Sequence, residues 1–308
     1  MTKVSQTSLF EILDLVDLWH LYCNIEYAAS IRGVSASKLS RRWRDLLGVF
    51  GLSYPSRGCG VDEDILQNSN AFCLLSQAFQ YWRFECGRPK LLPTFTAASA
   101  FRSKDHGFDV LPHHYFTAEQ LRRHLLARRV DLIVSSSLDL AGDLIVSALE
   151  EQSSPFVAIP LMREPVFLAL NADHPLVGFA EVSAQDIQVF PSPAYPEGVA
   201  TRAASELKTR GAWKHAGSSR LAPRISDWVH AMQSKVGLSY MSSLLQVGVP
   251  DSDELSLIPF AQPLEQTTYI LMLKDVAACP LAVPFIEACR ALVLTALAMA
   301  TYGVDLIA

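Results

Sequence analysis

Residues 28–51 read AASIRGVSASKLSRRWRDLLGVFG, and this stretch constrains the chain more than any other. Arg32-Gly33 divides it, because glycine tolerates the left-handed backbone that closes a helix. Glu26 to Ile31 then forms one short helix, and a second opens after Ser35, a good N-cap residue. Within the second, Leu39, Trp43 and Leu46/Leu47 fall on one inward face, while Ser37, Lys38, Arg41, Arg42 and Arg44 look elsewhere. Ahead of both, Leu9, Ile12, Leu13 and Val16 recur at three- and four-residue steps, which predicts a first helix over Leu9–Cys23 with one buried stripe.

Two short helices joined by a tight turn, the second presenting cations and hydroxyls, are the parts of a helix-turn-helix. From Arg32 to Arg57 six cations stand against one acid, Asp45, while the whole chain carries a net charge of -5. A local excess of that sign fits an anion, and DNA phosphate is the anion a helix-turn-helix meets. The bland alternative is a solvated helix face that binds nothing.

At 308 residues, half of them apolar, the chain is long enough for two or three domains with their own cores. Its uninterrupted apolar runs fall short of the roughly 18–20 residues of a membrane-spanning helix, so no membrane partner is expected. The N-terminal MTKVSQTSLFEILDLVDLWH carries acids through its apolar part and has no small-residue cleavage site, which points to the cytoplasm. Six scattered cysteines without a CxxC pair suit reduced thiols. Cys59, between glycines beside the cationic segment, is the one to watch for redox chemistry.

Residues 62–84 contain no glycine or proline and place Ile65, Phe72 and Phe79 seven apart, with Asn68, Leu75 and Trp82 three after each. That heptad seam fits a helix paired with another copy, Asn68 fixing register, and equally an amphipathic helix packed on its own chain. After Gly87 the texture changes. LLPTF, FDVL, the helix TAEQLRRHLLARR, DLIVSSS, FVAIP and VFLAL alternate as in an α/β domain. A second run follows: helices over Val199–Lys208 and Ile225–Gln233, then the strands VGLSYM and TTYILMLK. The C-terminal LAVPFIEACRALVLTALAMA is an apolar helix in which Glu287 and Arg290 argue against lipid.

In this layout the chain resembles the LysR-type transcriptional regulators over nearly its whole length. Ala28 and Ala29 match the family's paired alanines, Val34 and Ser35 the opening of its recognition helix, and Ser40 its second serine, with Arg41 behind. Trp43, Leu46, Phe50-Gly51, Tyr54 and Arg57 follow without a gap. Arg32 stands where the family usually has leucine, Ser37-Lys38 where it has proline-alanine, and Pro55 where it has phenylalanine. Downstream, Asp131-Leu132-Ile133, the AlaAspHisProLeu segment at 172–176 and Val236-Gly237-Leu238 resemble three further family motifs, the last short of one glycine.

The resemblance implies an α/β fold with an N-terminal winged helix-turn-helix at about 1–61, a linker helix at 62–87, and a two-lobed, periplasmic-binding-protein-like effector domain at 88–308. Lobe one would comprise 88–162 plus 267–308, and lobe two 163–266. It implies a regulator that binds double-stranded DNA and a small-molecule effector as a homodimer or homotetramer, needs no cofactor, and has RNA polymerase open as a further partner. The DNA-contacting residues expected are Ser35, Ser37, Lys38, Ser40, Arg41, Arg42 and Arg57. Ligands of two-lobed α/β domains settle beyond strand ends. Thr94, Thr96 and Ser99 follow one such end and Ser135, Ser136 and Ser137 another, while Thr201 and Arg202 open a helix across the cleft. Hydroxyls facing a cation at a helix start fit a small, polar, anionic ligand; the alternative is that the hydroxyls only cap helices.

The rival reading is an α/β small-molecule-binding protein or enzyme without DNA binding. Two S-x-x-K tetrads, Ser35–Lys38 and Ser205–Lys208, lack the further motifs of a serine acyl-enzyme. Gly237-Leu238-Ser239 lacks the second glycine of a nucleophile elbow. Asp105, His106, Asp109, His113 and His114 crowd together without a helical i, i+4 histidine pair, and read as a polar loop before a metal site.

Overall fold

The computed structural model describes residues 6–51, 69–102, 107–112, 116–139, 141–190, 201–211, 237–247, 255–298 and 305–306. Helix α1 (Gln6–Tyr22) is followed by α2 (Ile25–Ile31) and α3 (Ala36–Val49), as the apolar spacing predicts. Asn24 caps α2 by accepting from the Tyr27 N–H at 2.9 Å. The turn after α2 closes through Val34 N–H on the Ala29 carbonyl, with Gly33 at φ +64°, a left-handed backbone that glycine adopts without penalty. Ser35 then caps α3, accepting from the Lys38 N–H at 3.3 Å. Leu39, Trp43, Leu46 and Leu47 are buried. The single stripe expected on α1 is too narrow: Phe10, Leu15, Leu18 and Trp19 are buried along with Ile12, Leu13 and Val16, because α1 packs against α2, α3 and the next helix together.

That next helix, α4 (Asn70–Glu85), starts later than the heptads suggest, since Ser69 is extended and caps it by accepting from the Phe72 N–H. Ile65 and Asn68 lie outside the described residues. The described seam aromatics pack on their own chain. Phe79 and Trp82 meet Phe10 of α1 at centroid distances of 5.2 and 4.6 Å, and Phe72 meets Trp43 at 6.0 Å. The heptad period is real, but the partner of these rings is α1 and α3; the face left exposed carries Ala71, Leu74 and Ala78.

The chain forms two compact units, one of residues 1–90 with 123–131 and the other of 91–122 with 132–308. In the second, an eight-stranded sheet comprises β1 (Lys90–Pro93), β2 (Asp109–Val110), β3 (Leu132–Ser136), β4 (Phe156–Asn171), β5 (Ser239–Ser242), β6 (Leu255–Ile258), β7 (Leu264–Leu273) and β8 (Asp305–Leu306). β1 and β3 are parallel, with Leu92 opposite Ile133. β7 runs antiparallel to β3 and, over its full length, to residues 156–166 of β4, while the last part of β4 pairs with β5 and β6. The two long strands are thus common to both lobes. FVAIP and VFLAL are one strand and not the two expected. Pro160 and Pro165 are accommodated inside it, Pro160 at a register shift, where a missing N–H is tolerated.

The helices of this region are α5 (Ala118–Leu126), α6 (Gly142–Glu150), α7 (Ala184–Ile187), α8 (Thr201–Thr209), α9 (Ser243–Gln246), α10 (Lys274–Ala277) and α11 (Val283–Leu297), with 3-10 turns at Ala98–Phe101 and Pro280–Ala282. Lobe two has its own apolar core, built from Leu168, Leu170, Leu176, Ile187, Leu207 and Tyr240 with their neighbours. Pro280–Leu297, with a mean hydropathy of 1.6, is long and apolar enough to cross a membrane. It also buries Cys289, Val293, Ala296 and Leu297 and pairs Arg290 with Glu287 at 3.1 Å. The helix expected at Ile225–Gln233 lies outside the described residues, as do Cys59 and the histidines at 106, 113 and 114.

Candidate nucleic-acid interface and effector cleft

Burial of Trp43 and its three leucines fixes the rotation of α3 and so decides which side chains it offers. Ser35, Ser37, Lys38, Arg41 and Arg44 are exposed, and Ser40 is half-buried. The Ser35 and Ser37 hydroxyls lie 3.2 Å apart at the start of the helix. Ser35 is occupied as a cap, so the first S-x-x-K tetrad is a helix start. Arg42 reaches Glu11 of α1 at 3.3 Å across an exposed surface, a contact that contributes little in water. Arg32 is withdrawn from the cationic face: its Nε and Nη2 grip Asp14 at 2.6 and 3.3 Å. Arg57 lies outside the described residues.

In the second unit the hydroxyls expected at the strand ends are mostly engaged. Thr94 and Thr96 both donate to one Asp139 oxygen, at 2.6 and 2.7 Å. Ser99 donates to the Leu244 carbonyl at 2.9 Å, and Ser137 accepts from the Thr267 N–H at 3.1 Å. Ser135 makes only a long contact of 3.4 Å to the Ser136 carbonyl. Ser136 differs. Its hydroxyl is fully buried without a partner among the described residues, and so is that of Thr268, which faces it across β3 and β7. A buried hydroxyl without a partner costs about 1–3 kcal/mol. Two such hydroxyls lie opposite each other here.

Arg202 comes to this region from α8. A Cβ built on Gly142 would lie 2.5 Å from the Ser137 carbonyl oxygen and 2.8 Å from Arg202 Cδ. The arginine stem thus lies against the first residue of α6, whose N-terminus has no side-chain cap, and the Ser137 carbonyl, the nearer neighbour, is what requires glycine there. The Gly142 N–H donates to the Asp139 carbonyl at 2.9 Å and Asp143 stands in the first turn, so the feature here that favours an anion is the Arg202 cation beside a helix start. Thr201 is the first residue of α8, directly before Arg202.

Two residues of the region gave no sequence signal. Asp139 gathers the threonines. Glu164, buried in β4 between the lobes, accepts from the Leu244 N–H and from Gln266 Nε2, both at 2.8 Å. Burial pushes its carboxyl above the usual range despite these bonds.

The sequence profile of the LysR substrate binding domain matches residues 113–293, more than half of the chain. The chain belongs to the LysR family. Among solved structures, it is similar over 95% of both chains to a variant of full-length OxyR from Pseudomonas aeruginosa, at 17% identity and a TM-score of 0.57. Full-length CbnR complexed with its target DNA is 13% identical, over 92% of this chain and 99% of that one, with a TM-score of 0.52. The CcmR regulatory domain from Synechocystis in complex with 2-PG covers 67% of this chain at 19% identity, with a TM-score of 0.51. At these identities the likenesses establish the fold: a helix-turn-helix followed by the two-lobed domain of a LysR-type transcriptional regulator. No curated protein matches the chain in sequence.

Proposed function

We propose that this LysR-family protein is a sequence-specific DNA-binding regulator, acting in the cytoplasm, whose state is set by a small polar anion bound between the lobes. The observation that carries the reading is α3, capped by Ser35, with its apolar side buried and Ser37, Lys38 and Arg41 exposed on the other. A helix so fixed enters a major groove with its N-terminal residues at the base edges and its cations near phosphate. Gel shifts on genomic fragments test it: affinity should fall steeply with salt, by a slope of about -0.9 per phosphate neutralised. No shift, or one indifferent to salt, leaves the rival reading of a small-molecule-binding protein.

For the effector, the support is the uncapped start of α6 beneath Arg202, together with the unpartnered hydroxyls of Ser136 and Thr268. The full-length protein should be stabilised thermally by members of a panel of carboxylates and not by neutral apolar metabolites. Arg202→Gln should abolish that stabilisation by removing the cation. Stabilisation by apolar compounds alone, or an unchanged response in Arg202→Gln, would falsify the anionic assignment.

For assembly as a homodimer or homotetramer, the free surface of α4 is the one that carries Leu74, which is 66% exposed, with Ala71 and Ala78. Leu74→Asp with Ala78→Asp should yield monomers by light scattering, whereas Phe72→Asp, which breaks contacts to Trp43, should unfold the first unit instead. A double variant that keeps its mass assigns the oligomer to another surface.

A further inference from the structure

The first unit contains a charge cluster that DNA contact does not require. Three carboxylates, Asp14, Asp17 and Asp131, interleave with three cations, Arg32, Arg83 and Lys90. Lys90, whose side chain is 0% exposed, bonds Asp14 at 2.9 Å and Asp17 at 2.8 Å. Arg83 holds Asp131 in a fork at 2.8 and 2.6 Å and approaches Asp17 at 3.5 Å. Arg32 closes the chain on Asp14. Asp131 also accepts from the Lys90 N–H at 2.7 Å, and its own N–H donates to the Lys90 carbonyl at 3.0 Å.

The members come from elements with different tasks. Asp14 and Asp17 lie on α1. Arg32 lies in the turn between α2 and α3. Arg83 is near the end of α4. Lys90 is the first residue of β1, and Asp131 immediately precedes β3. Those two strands run on, side by side and parallel, to the residues that carry Thr94 and Ser136. A simple tether would need only the apolar contacts of α1 with α4. The directional bonds add something else: each carboxylate is shared by two elements, so a shift of any element unpairs a charge, and those of Arg83, Lys90 and Asp131 are at most 4% exposed. Such a shift is costly, because breaking a buried pair strands the partner's charge. The cluster therefore favours moving as one body.

We propose that this six-residue cluster is a mechanical coupler that joins the turn of the helix-turn-helix to the first residues of β1 and β3, so that occupancy of α3 by DNA and the state of those strands influence each other. The proposal rests on α3 being the DNA-binding helix. Coupling is reciprocal, so it can be read from the DNA side without an identified effector.

The experiment is hydrogen exchange on the full-length protein with and without random-sequence duplex DNA at low salt. In the unaltered protein, DNA should slow exchange in α3 and also change exchange at the β1 and β3 amides by roughly 5-fold or more, the lower end of ordinary coupling. Arg32→Leu cuts the turn out of the cluster at its most exposed end; it should keep the α3 protection and lose the response in the strands. Arg32→Lys retains the charge and should recover part of it. If Arg32→Leu does not fold, Arg32→Lys alone decides: one ammonium cannot reproduce the fork, so its strand response should be weaker than that of the parent. A strand response undiminished in the folded variants overturns the coupler, as does DNA protection that stops at α3 in the unaltered protein. Absence of any α3 protection instead removes the DNA-binding reading beneath it.

Discussion

Replacing Lys38 and Arg41 together by alanine should lower affinity for operator DNA by about 10-fold or more and flatten its dependence on salt. Both side chains are exposed on α3 and make no ion pair among the described residues, so their charge is available to a phosphate or a base edge. A good base contact contributes about 1–3 kcal/mol, and each lost phosphate contact removes about one unit of salt slope. The fold should not suffer, because Leu39, Trp43, Leu46 and Leu47 are untouched. Arg42→Ala should cost less, since its guanidinium is already shared with Glu11 at 3.3 Å. Ser35→Ala acts by another route: it removes the cap of α3, about 0.5–2 kcal/mol of stability, and weakens binding only through the helix. Gel shifts and thermal melts on the three variants separate these effects. If the double variant binds as its parent does, α3 is not the reading helix.

The helix-turn-helix is legible in the sequence because its rules are local. A cap at Ser35, a left-handed glycine at Gly33 and four apolar residues at helical spacing act within a few positions of one another. The heptads of α4 show where local rules stop. Periodicity establishes that Phe72, Phe79 and Trp82 share a face, but not whether that face meets another copy or α1 and α3, and it is the latter. β4 illustrates the same limit, since FVAIP and VFLAL read as separate segments until the partner strand β7 is known to run past both prolines.

Of the hydroxyls expected at the strand ends, Thr94 and Thr96 meet on one Asp139 oxygen, whereas Ser136 lies opposite Thr268. Which hydroxyls are already satisfied depends on Asp139, 45 residues beyond Thr94, and the neighbour of Gly142 that sequence does not reveal is Arg202, 60 residues later. The charge cluster is less legible still. Its bonds join residues 18, 48 and 73 positions apart. In the sequence Arg32 counts only as one more cation of a basic stretch and as a departure from the family's leucine. Its role depends on Asp14 being turned toward it on the neighbouring helix.

The largest loss of stability should follow Arg83→Ala. The guanidinium is 4% exposed, forks onto Asp131, donates to the Arg128 carbonyl at 2.8 Å and lies 4.5 Å from the centre of the Phe79 ring. Burial alone would weaken its hold on the proton; Asp131 and the other carboxylates reverse that and strengthen it. Truncation leaves Asp131, itself 0% exposed, without its cation, and losing one partner of a buried pair typically costs about 3–5 kcal/mol. Arg83→Lys should recover only part, because an ammonium cannot make the bidentate contact. Arg83→Met with Asp131→Asn should cost less than the two single changes combined, because neither charge is then stranded. The dependence on pH follows from Asp14. Burial would raise its pKa, but Lys90 and Arg32 hold it well below the usual carboxylate range. Its contribution is therefore complete above the unfolded value of about 3.9 and is lost only as pH falls through the depressed folded value. Urea unfolding followed by tryptophan fluorescence should show the gap between parent and Asp14→Asn constant from pH 7 to 5 and narrowing in stronger acid. A gap that closes as pH rises would mean that Asp14 is not held as a carboxylate by these cations, and a near-neutral Arg83→Ala would mean that Asp131 finds water or another cation.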